Sequence, residues 1–225
     1  NEERIKVGTL YKQVNPFEAQ KVGAALVAKN IARHIETQVM DKPRSWQPLV
    51  YCWRGGKRSN SLALILGQIG FKVHLIEGGY KAFRKEVMED TPRQAQRLQF
   101  KVLCGPTGSG KTRLLQALAQ EGAQVLDLEA IACHRSSVLG LIPGTPQPTQ
   151  KAFDTQVWDA LRGFSADRPV FVEAESKKVG NLTVPADLMV SMRASPCLRV
   201  DLSLDNRVNL LMEDYAFFTQ DRALF

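Results

Sequence analysis

The sequence predicts an α/β protein built in two halves, each with a strand–loop–helix at which a site can form. Three observations predict this. Short apolar runs alternate with amphipathic stretches, the pattern of strands joined by crossover helices in a parallel sheet. A thiol-bearing loop, "YCWRGGKRS" at residues 51–59, joins an apolar run to a helical one. A glycine-rich loop, "GPTGSGKT" at residues 105–112, does the same in the second half. In parallel sheets the turn from strand into helix is where ligands are held.

The elements follow in order. "NPFEAQKVGAALVAKNIARHIETQVM" reads as a helix, with Asn15 as cap, Pro16 in the first turn and Glu18 near a capping-box position. Val22, Leu26, Ile31 and Ile35 fall near helical spacing and predict its core face. "PLVYC" is a short strand and "RSNSLALILGQIG" a helix ended by Gly70. "KVHLIEGG" is a second strand, closed by Gly78 and Gly79. The charged stretch "YKAFRKEVMEDTPRQAQRLQ" predicts a helix and then a linker at residues 91–98, dividing a domain at 1–90 from one at 99–225. Beyond it, "FKVLCG", "AQVLDLEA", "RPVFVEAE" and "CLRVDLSL" read as strands. "GKTRLLQALAQEG", "TQKAFDTQVWDALRGF" and "DNRVNLLMEDYAFF" read as helices between and after them.

The chain has 225 residues, 44% of them hydrophobic and 24% charged, as in an ordinary globular protein with room for a sizeable core. A net charge of +7 suits a polyanionic partner without naming one. No two of the four cysteines have Cys-x-x-Cys spacing, which argues against a zinc site or a thioredoxin-type pair. Cys104 and Cys197 lie in apolar runs and are expected as small core residues. No signal-peptide pattern opens the sequence, and no apolar run approaches the ~18 residues of a membrane span. The expected place is the cytoplasm, with thiols reduced and no membrane partner.

Residues Gly105, Pro106, Thr107, Gly108, Ser109, Gly110, Lys111 and Thr112 match G-x-x-x-x-G-K-[ST] between a strand and a helix. The glycines let successive N–H groups converge on phosphate oxygens, and the helix start adds partial positive charge. Lys111 can reach a second phosphate, and the Thr112 hydroxyl can bind Mg²⁺. Asp127, Glu129 and Glu173 suit a magnesium ion or its waters as well as they suit pairing with arginines at a sheet end. The motif names a phosphate or diphosphate group, which need not belong to ATP.

In the first half, Cys52 ends a strand, and Trp53, Arg54, Gly55, Gly56, Lys57 and Arg58 follow. A thiolate is the reactive form of cysteine, and helix N-termini and nearby cations favour it. A loop whose N–H groups curl toward Cys52 would also stabilise a larger anion on that sulfur, such as a persulfide or perselenide.

That loop resembles the active-site loop of rhodanese domains, and "LIEGGYKAF" resembles the Gly-Gly segment that closes them. No strand with an Asp-x-Arg signature precedes the helical region, so the resemblance implies an N-terminally truncated rhodanese-like domain followed by a P-loop NTPase-like parallel-sheet domain. "VGTLYKQ", "YCWRGGKRS", "IEGGYKAFR", "GPTGSGKT", "DLEAIACHRSS", "QPTQKAFD" and "FVEAESKKVG" together resemble segments of the tRNA 2-selenouridine synthase family, in its order. Ser136 stands where that family usually has glycine, next to His134 and Arg135. The end at "DRALF" is earlier than the family pattern, which implies a C-terminally truncated second domain.

The resemblance implies a transferase acting on wobble 2-thiouridine of tRNA. Its sulfur is geranylated from geranyl diphosphate, and selenium from selenophosphate then replaces the geranylthio group. Cys52 would carry selenium as a perselenide, and the phosphate loop would hold the diphosphate. No tightly bound cofactor is implied; Mg²⁺ is compatible, and an enzyme supplying selenophosphate is a natural partner. Lys57, Arg58, Lys81, Arg84, Lys85, Arg93, Arg97, Lys101, Lys177 and Lys178 are the candidate tRNA phosphate contacts. Two other readings fit the motifs alone: a P-loop kinase or NTPase with a regulatory first half, and a plain sulfurtransferase.

Overall fold

The computed structural model describes residues 2–216 apart from 136, 138, 139 and 143. Ser136 and the end of the sequence-predicted last helix therefore lie outside the described residues. The chain divides into two compact units, Asn1–Lys85 and Glu86–Phe225. No helix among the described residues is long and apolar enough to cross a membrane.

The first unit opens with α1 (Glu2–Gln13), which the sequence reading did not assign, and α2 (Pro16–Gln38). Asn15 caps α2 as expected, its side chain accepting from the Glu18 N–H at 2.8 Å. Of the four predicted core residues of α2, Ile31 is buried, while Val22, Leu26 and Ile35 are half-buried. The strands are shorter than the apolar runs suggest: β1 (Leu49–Val50) and β2 (His74–Leu75) form a parallel pair. Between them runs α3 (Lys57–Ile69), closed by Gly70. A small core of Val39, Val50 and Leu66 is backed by Trp46 packed edge-on against Phe71, ring centroids 5.4 Å apart.

The stretch 91–98, expected as a linker, is instead mostly helix: α4 runs from Gly79 to Arg97 with Pro92 inside it. Proline removes an interior N–H from the helical ladder. Next to it the buried Thr91 hydroxyl donates to the Val87 carbonyl at 2.6 Å. Arg97 then donates to the carbonyls of Leu161, Arg162 and Phe164 at 3.0, 3.4 and 2.9 Å.

The second unit is a four-stranded parallel sheet in the order β4-β5-β3-β8, from β3 (Phe100–Cys104), β4 (Gln124–Leu126), β5 (Val170–Glu173) and β8 (Cys197–Arg199). Its helices are α5 (Lys111–Gln120), α6 (Leu128–Ala132), α7 (Gln150–Gly163), α8 (Ala186–Arg193) and α9 (Leu204–Asp214). A hairpin of β6 (Lys178–Val179) and β7 (Leu182–Thr183) and the helix α8 were not assigned from sequence. Phe100, Phe153, Val157, Leu161, Val170, Val172 and Leu188 form the centre of the core. Cys104 and Cys197 depart from expectation. Cys197 is exposed rather than core, and the two form a disulfide across neighbouring strands β3 and β8, Cα atoms 6.1 Å apart.

Phe153, on α7, has no solvent exposure. Phe153→Ala removes a buried aromatic and leaves a cavity, so it should cost about 3–5 kcal/mol. Urea denaturation of the chain would read this, and a loss under ~1 kcal/mol would show that α7 does not seal the core.

Candidate functional site

In the first unit β1 ends just before Cys52, and α3 begins just after Gly56 with no side-chain cap. The first N–H groups of a helix lack intrahelical partners. Here the sulfur takes one of them: Gly56 N–H donates to Cys52 Sγ at 3.2 Å. The buried Ser59 hydroxyl lies 3.3 Å from the same sulfur and 3.0 Å from the Gly56 carbonyl oxygen, the two acceptors for its one proton. Burial raises the thiol pKa, but hydrogen bonds from the Ser59 side chain and from the N–H groups of Gly56, Ser59 and Arg54 outweigh it and bring it down to about 6. The donors that lower it are thus hydrogen-bonding groups, with Arg54 acting through its backbone. Ser59 was not singled out from sequence, although its place one turn into α3 was readable.

The loop is locked from behind. Tyr80 N–H donates to the Cys52 carbonyl and Lys81 N–H to the Trp53 carbonyl, each at 2.9 Å. A side chain at Gly79 would put Cβ 2.1 Å from the Cys52 carbonyl oxygen, so only glycine permits this approach. Arg54, Lys57 and Arg58 line the cavities that open on Cys52.

In the second unit β3 leads into residues 105–112 and α5 leaves them, again with no side-chain cap at its start. Gly110 holds a left-handed conformation, φ 85°, which aims the turn into the helix. Lys111 Nζ donates to the carbonyls of Gly105 and Pro106 at 3.2 and 3.3 Å, so it lies across the loop it serves. A cavity of roughly 380 Å³ opens there, lined by the loop, Glu129, Glu173, Arg135 and the end of α9.

The carboxylates divide by role. Asp127 caps α6, accepting from the Ala130 N–H at 2.8 Å. Glu129, Glu173 and Glu175 bring carboxylate oxygens within 4.8 Å of one another, and the Thr112 hydroxyl lies 3.5 Å from Glu129 Oε2. Glu173 is only 7% exposed, and its Oε1 has no partner among the described residues. Burial pushes its pKa up to about 7; the Thr112 hydrogen bond and Lys111 oppose this, while Glu129 and Asp127 add to it. Such an all-oxygen set suits a hard divalent cation. Glu175 was missed in the sequence, although it stands two residues past Glu173, just beyond the end of β5.

His134 is buried with Nδ1 unpartnered among the described residues, and does not line the phosphate cavity. Arg135 does line it, packs over the Tyr215 ring and donates to the Asp214 carbonyl. The end of α9 binds the loop's neighbours: Arg113 pairs with Glu213 and Asp214 at 2.9 and 3.0 Å, and Arg207 donates to the Thr107 carbonyl at 2.9 Å. Of the basic residues proposed to meet phosphate, Arg93 pairs with Glu86 and Asp90, and Arg97 is committed to the α7 carbonyls.

A parallel α/β unit that ends β3 in a GxxxxGKT loop is a P-loop-like unit, within a mixed α/β chain. Residues 98–224 match the family model of the tRNA 2-selenouridine synthase AAA domain. The chain belongs to the tRNA 2-selenouridine synthase family. It is 37% identical over 223 residues to the tRNA 2-selenouridine synthase of Nitrosomonas eutropha, covering 97% of this chain and 57% of that protein. It is 36% identical over 226 residues to that of Nitrosomonas europaea, with the same coverage, and 33% identical over 218 residues to that of Marinobacter nauticus, covering 96% and 58%. The chain thus spans little more than half the length of these relatives.

The Cys52 thiol should react with iodoacetamide along a pH curve centred near 6, because the thiolate is the nucleophile. Reactivity falls below that pH and is level above it. Ser59→Ala removes a donor to the anion, so its midpoint moves upward, toward the 9.0 of an unperturbed thiol. Peptide mass spectrometry separates Cys52 from Cys133; an unmoved midpoint would show that Ser59 does not hold the thiolate.

Proposed function

We propose that this chain modifies tRNA, converting wobble 2-thiouridine to 2-selenouridine as a transferase. The observation that carries the reading is the Cys52 thiolate cradle, joined in one chain to a phosphate loop of different size and chemistry. The first unit is read as rhodanese-like, with domains at 1–90 and 99–225. In the first step, the sulfur of 2-thiouridine takes a geranyl group from geranyl diphosphate, whose diphosphate leaves into residues 105–112. The loop N–H groups, the start of α5 and Lys111 stabilise the charge that develops there. In the second step Cys52 would carry the selenium as a perselenide: its S–Se bond forms as water cleaves the Se–P bond of selenophosphate to phosphate, a two-electron oxidation in which a small disulfide is reduced to two thiols; the perselenide attacks the base carbon, geranylthiolate leaves, and two such thiols then cleave the S–Se bond, releasing 2-selenouridine and Cys52 and re-forming the disulfide. The N–H of Gly56 and the Ser59 hydroxyl, now on the sulfur, are the donors that hold the anion.

Thr112, Glu129, Glu173 and Glu175 would hold Mg²⁺ where it is used, and the ion would offset charge on the diphosphate. Substrates are geranyl diphosphate and selenophosphate, an enzyme making selenophosphate is the matching partner, and the cytoplasm is the matching compartment. With a net charge of +7, tRNA phosphates are met by lysine and arginine without sequence readout. Lys57 and Arg58, which line the Cys52 cavities, are the best placed for this.

Mass spectrometry of tRNA nucleosides after incubation with geranyl diphosphate, then selenophosphate, tests the reading. Cys52→Ser should abolish selenium incorporation and leave geranylation largely intact; selenation at the normal rate would refute the role of the thiol. ATP hydrolysis without geranyl transfer would favour an NTPase instead.

Lys111→Ala should weaken geranyl diphosphate binding by about 1.5–3 kcal/mol, the range for a hydrogen bond to a charged group. Calorimetry reads this directly, and unchanged affinity would remove Lys111 from the diphosphate site.

A further inference from the structure

The reactive sulfur lies between two exposed aromatic residues. Tyr51 immediately precedes Cys52 and is 56% exposed; Trp53 immediately follows and is 48% exposed. The Trp53 ring lies beside Tyr80, centroids 5.5 Å apart and planes inclined by 33°. Tyr80 in turn adjoins Phe83 at 6.2 Å. A cavity of roughly 350 Å³ is lined by Arg4, Tyr51, Cys52, Trp53, Arg58 and Tyr80. Its neighbour on the same thiol adds Arg54 and Lys57. Every charged residue among these two linings is a cation, whereas a third cavity on the thiol, away from Trp53 and Tyr80, also has Glu2 and Glu3 in its lining.

This geometry is built in. The backbone bonds from Tyr80 to Cys52 and from Lys81 to Trp53 tie the loop carrying Trp53 to the helix start carrying Tyr80. The mutual placement of the two rings is therefore fixed by main chain, with glycine required at Gly79 to allow the approach. Core packing does not explain the arrangement, since neither Tyr51 nor Trp53 is buried. Aromatic faces with cations beside them are the chemistry that receives an unstacked nucleobase and its phosphates. An apolar guest would need no guanidinium groups, and a simple anion would need no rings.

We propose that this cavity is a base-stacking platform. The unpaired wobble pyrimidine stacks on Trp53 and Tyr80, with Arg4 and Arg58 on the adjoining phosphates, which sets the base against Cys52. Enzymes that act on a base must take it out of its stack, and aromatic surfaces recover the lost stacking. The assignment rests on the reading of Cys52 as the residue that delivers selenium to tRNA. It gives Trp53 a positioning role distinct from the anion cradle.

Two anticodon stem-loop RNAs test it: one with 2-thiouridine at the wobble position, and a twin with an abasic residue there. Fluorescence anisotropy on the protein gives both dissociation constants. The unaltered chain should favour the base-bearing RNA about tenfold or more, the scale of one base–aromatic stack. Trp53→Ala should bring both RNAs to the abasic affinity, and Trp53→Phe should keep most of the preference. In turnover, Trp53→Ala should raise KM for the RNA several-fold more than it lowers kcat; its thermal midpoint checks the fold. Equal and measurable binding of both RNAs by the unaltered chain, or a preference that survives in Trp53→Ala, overturns the platform and leaves the tRNA reading standing. Binding of neither RNA overturns both.

Discussion

A helix that starts without a side-chain cap must give its first N–H groups to something else. This constraint organises both halves of the molecule. Asn15, Asp127, Thr149 and Ser203 cap α2, α6, α7 and α9 with their own oxygens. The helices that follow the two ligand loops, α3 and α5, begin instead at Gly56 and Gly110 with no side-chain acceptor. A serine or aspartate there would satisfy the helix and compete with an anion. Glycine leaves the donors open, and the helix dipole adds to their pull on negative charge.

The two openings differ in what they can hold. At Cys52 the donors converge on one atom, 3.2 and 3.3 Å from the sulfur, and the chain itself supplies the anion. At residues 105–112 Lys111 rests on the loop's own carbonyls, and the cavity is large enough for a polyatomic guest. Carboxylates stand beside that second opening but not among the cavity linings shared by Cys52, Trp53 and Arg58. The raised Glu173 pKa comes first from its burial beside that opening, with Glu129 and Asp127 adding to it.

Much of this was legible in the sequence because it is local. The loop at residues 105–112, the Asn15 cap and the strand-to-helix turn at Cys52 depend on neighbours within a few positions, and each stands where the pattern put it. What escaped depends on distance or on weak patterning. The helix α1 has no buried residue and hence no apolar stripe to reveal it. Pro92 suggested a linker, but α4 runs through it to Arg97, whose guanidinium is anchored on the carbonyls at the end of α7. The Cys104–Cys197 pair is separated by 93 residues and becomes visible only when β3 and β8 lie side by side. Ser59 looked like one more polar residue at a helix start; only the fold shows that its hydroxyl points at a sulfur.

The same distinction governs the positive charge. A surplus of +7 invites the assignment of each arginine to nucleic acid, yet charge is a property of the whole surface and residues have other uses. Arg97 gives its donors to three carbonyls at the end of α7, and reversing it would break the second unit before it tested any RNA contact. Arg93 is matched by Glu86 and Asp90, and Arg113 by Glu213 and Asp214. Arg4 and Arg58, by contrast, line a cavity whose other charged linings are all cations. Where a cation's partners within the fold are carboxylates or carbonyls, its charge is already used. Around Cys52 the cations Arg4, Arg54, Lys57 and Arg58 gather beside exposed rings, with Glu2 and Glu3 only in the cavity on the α2 side of the thiol.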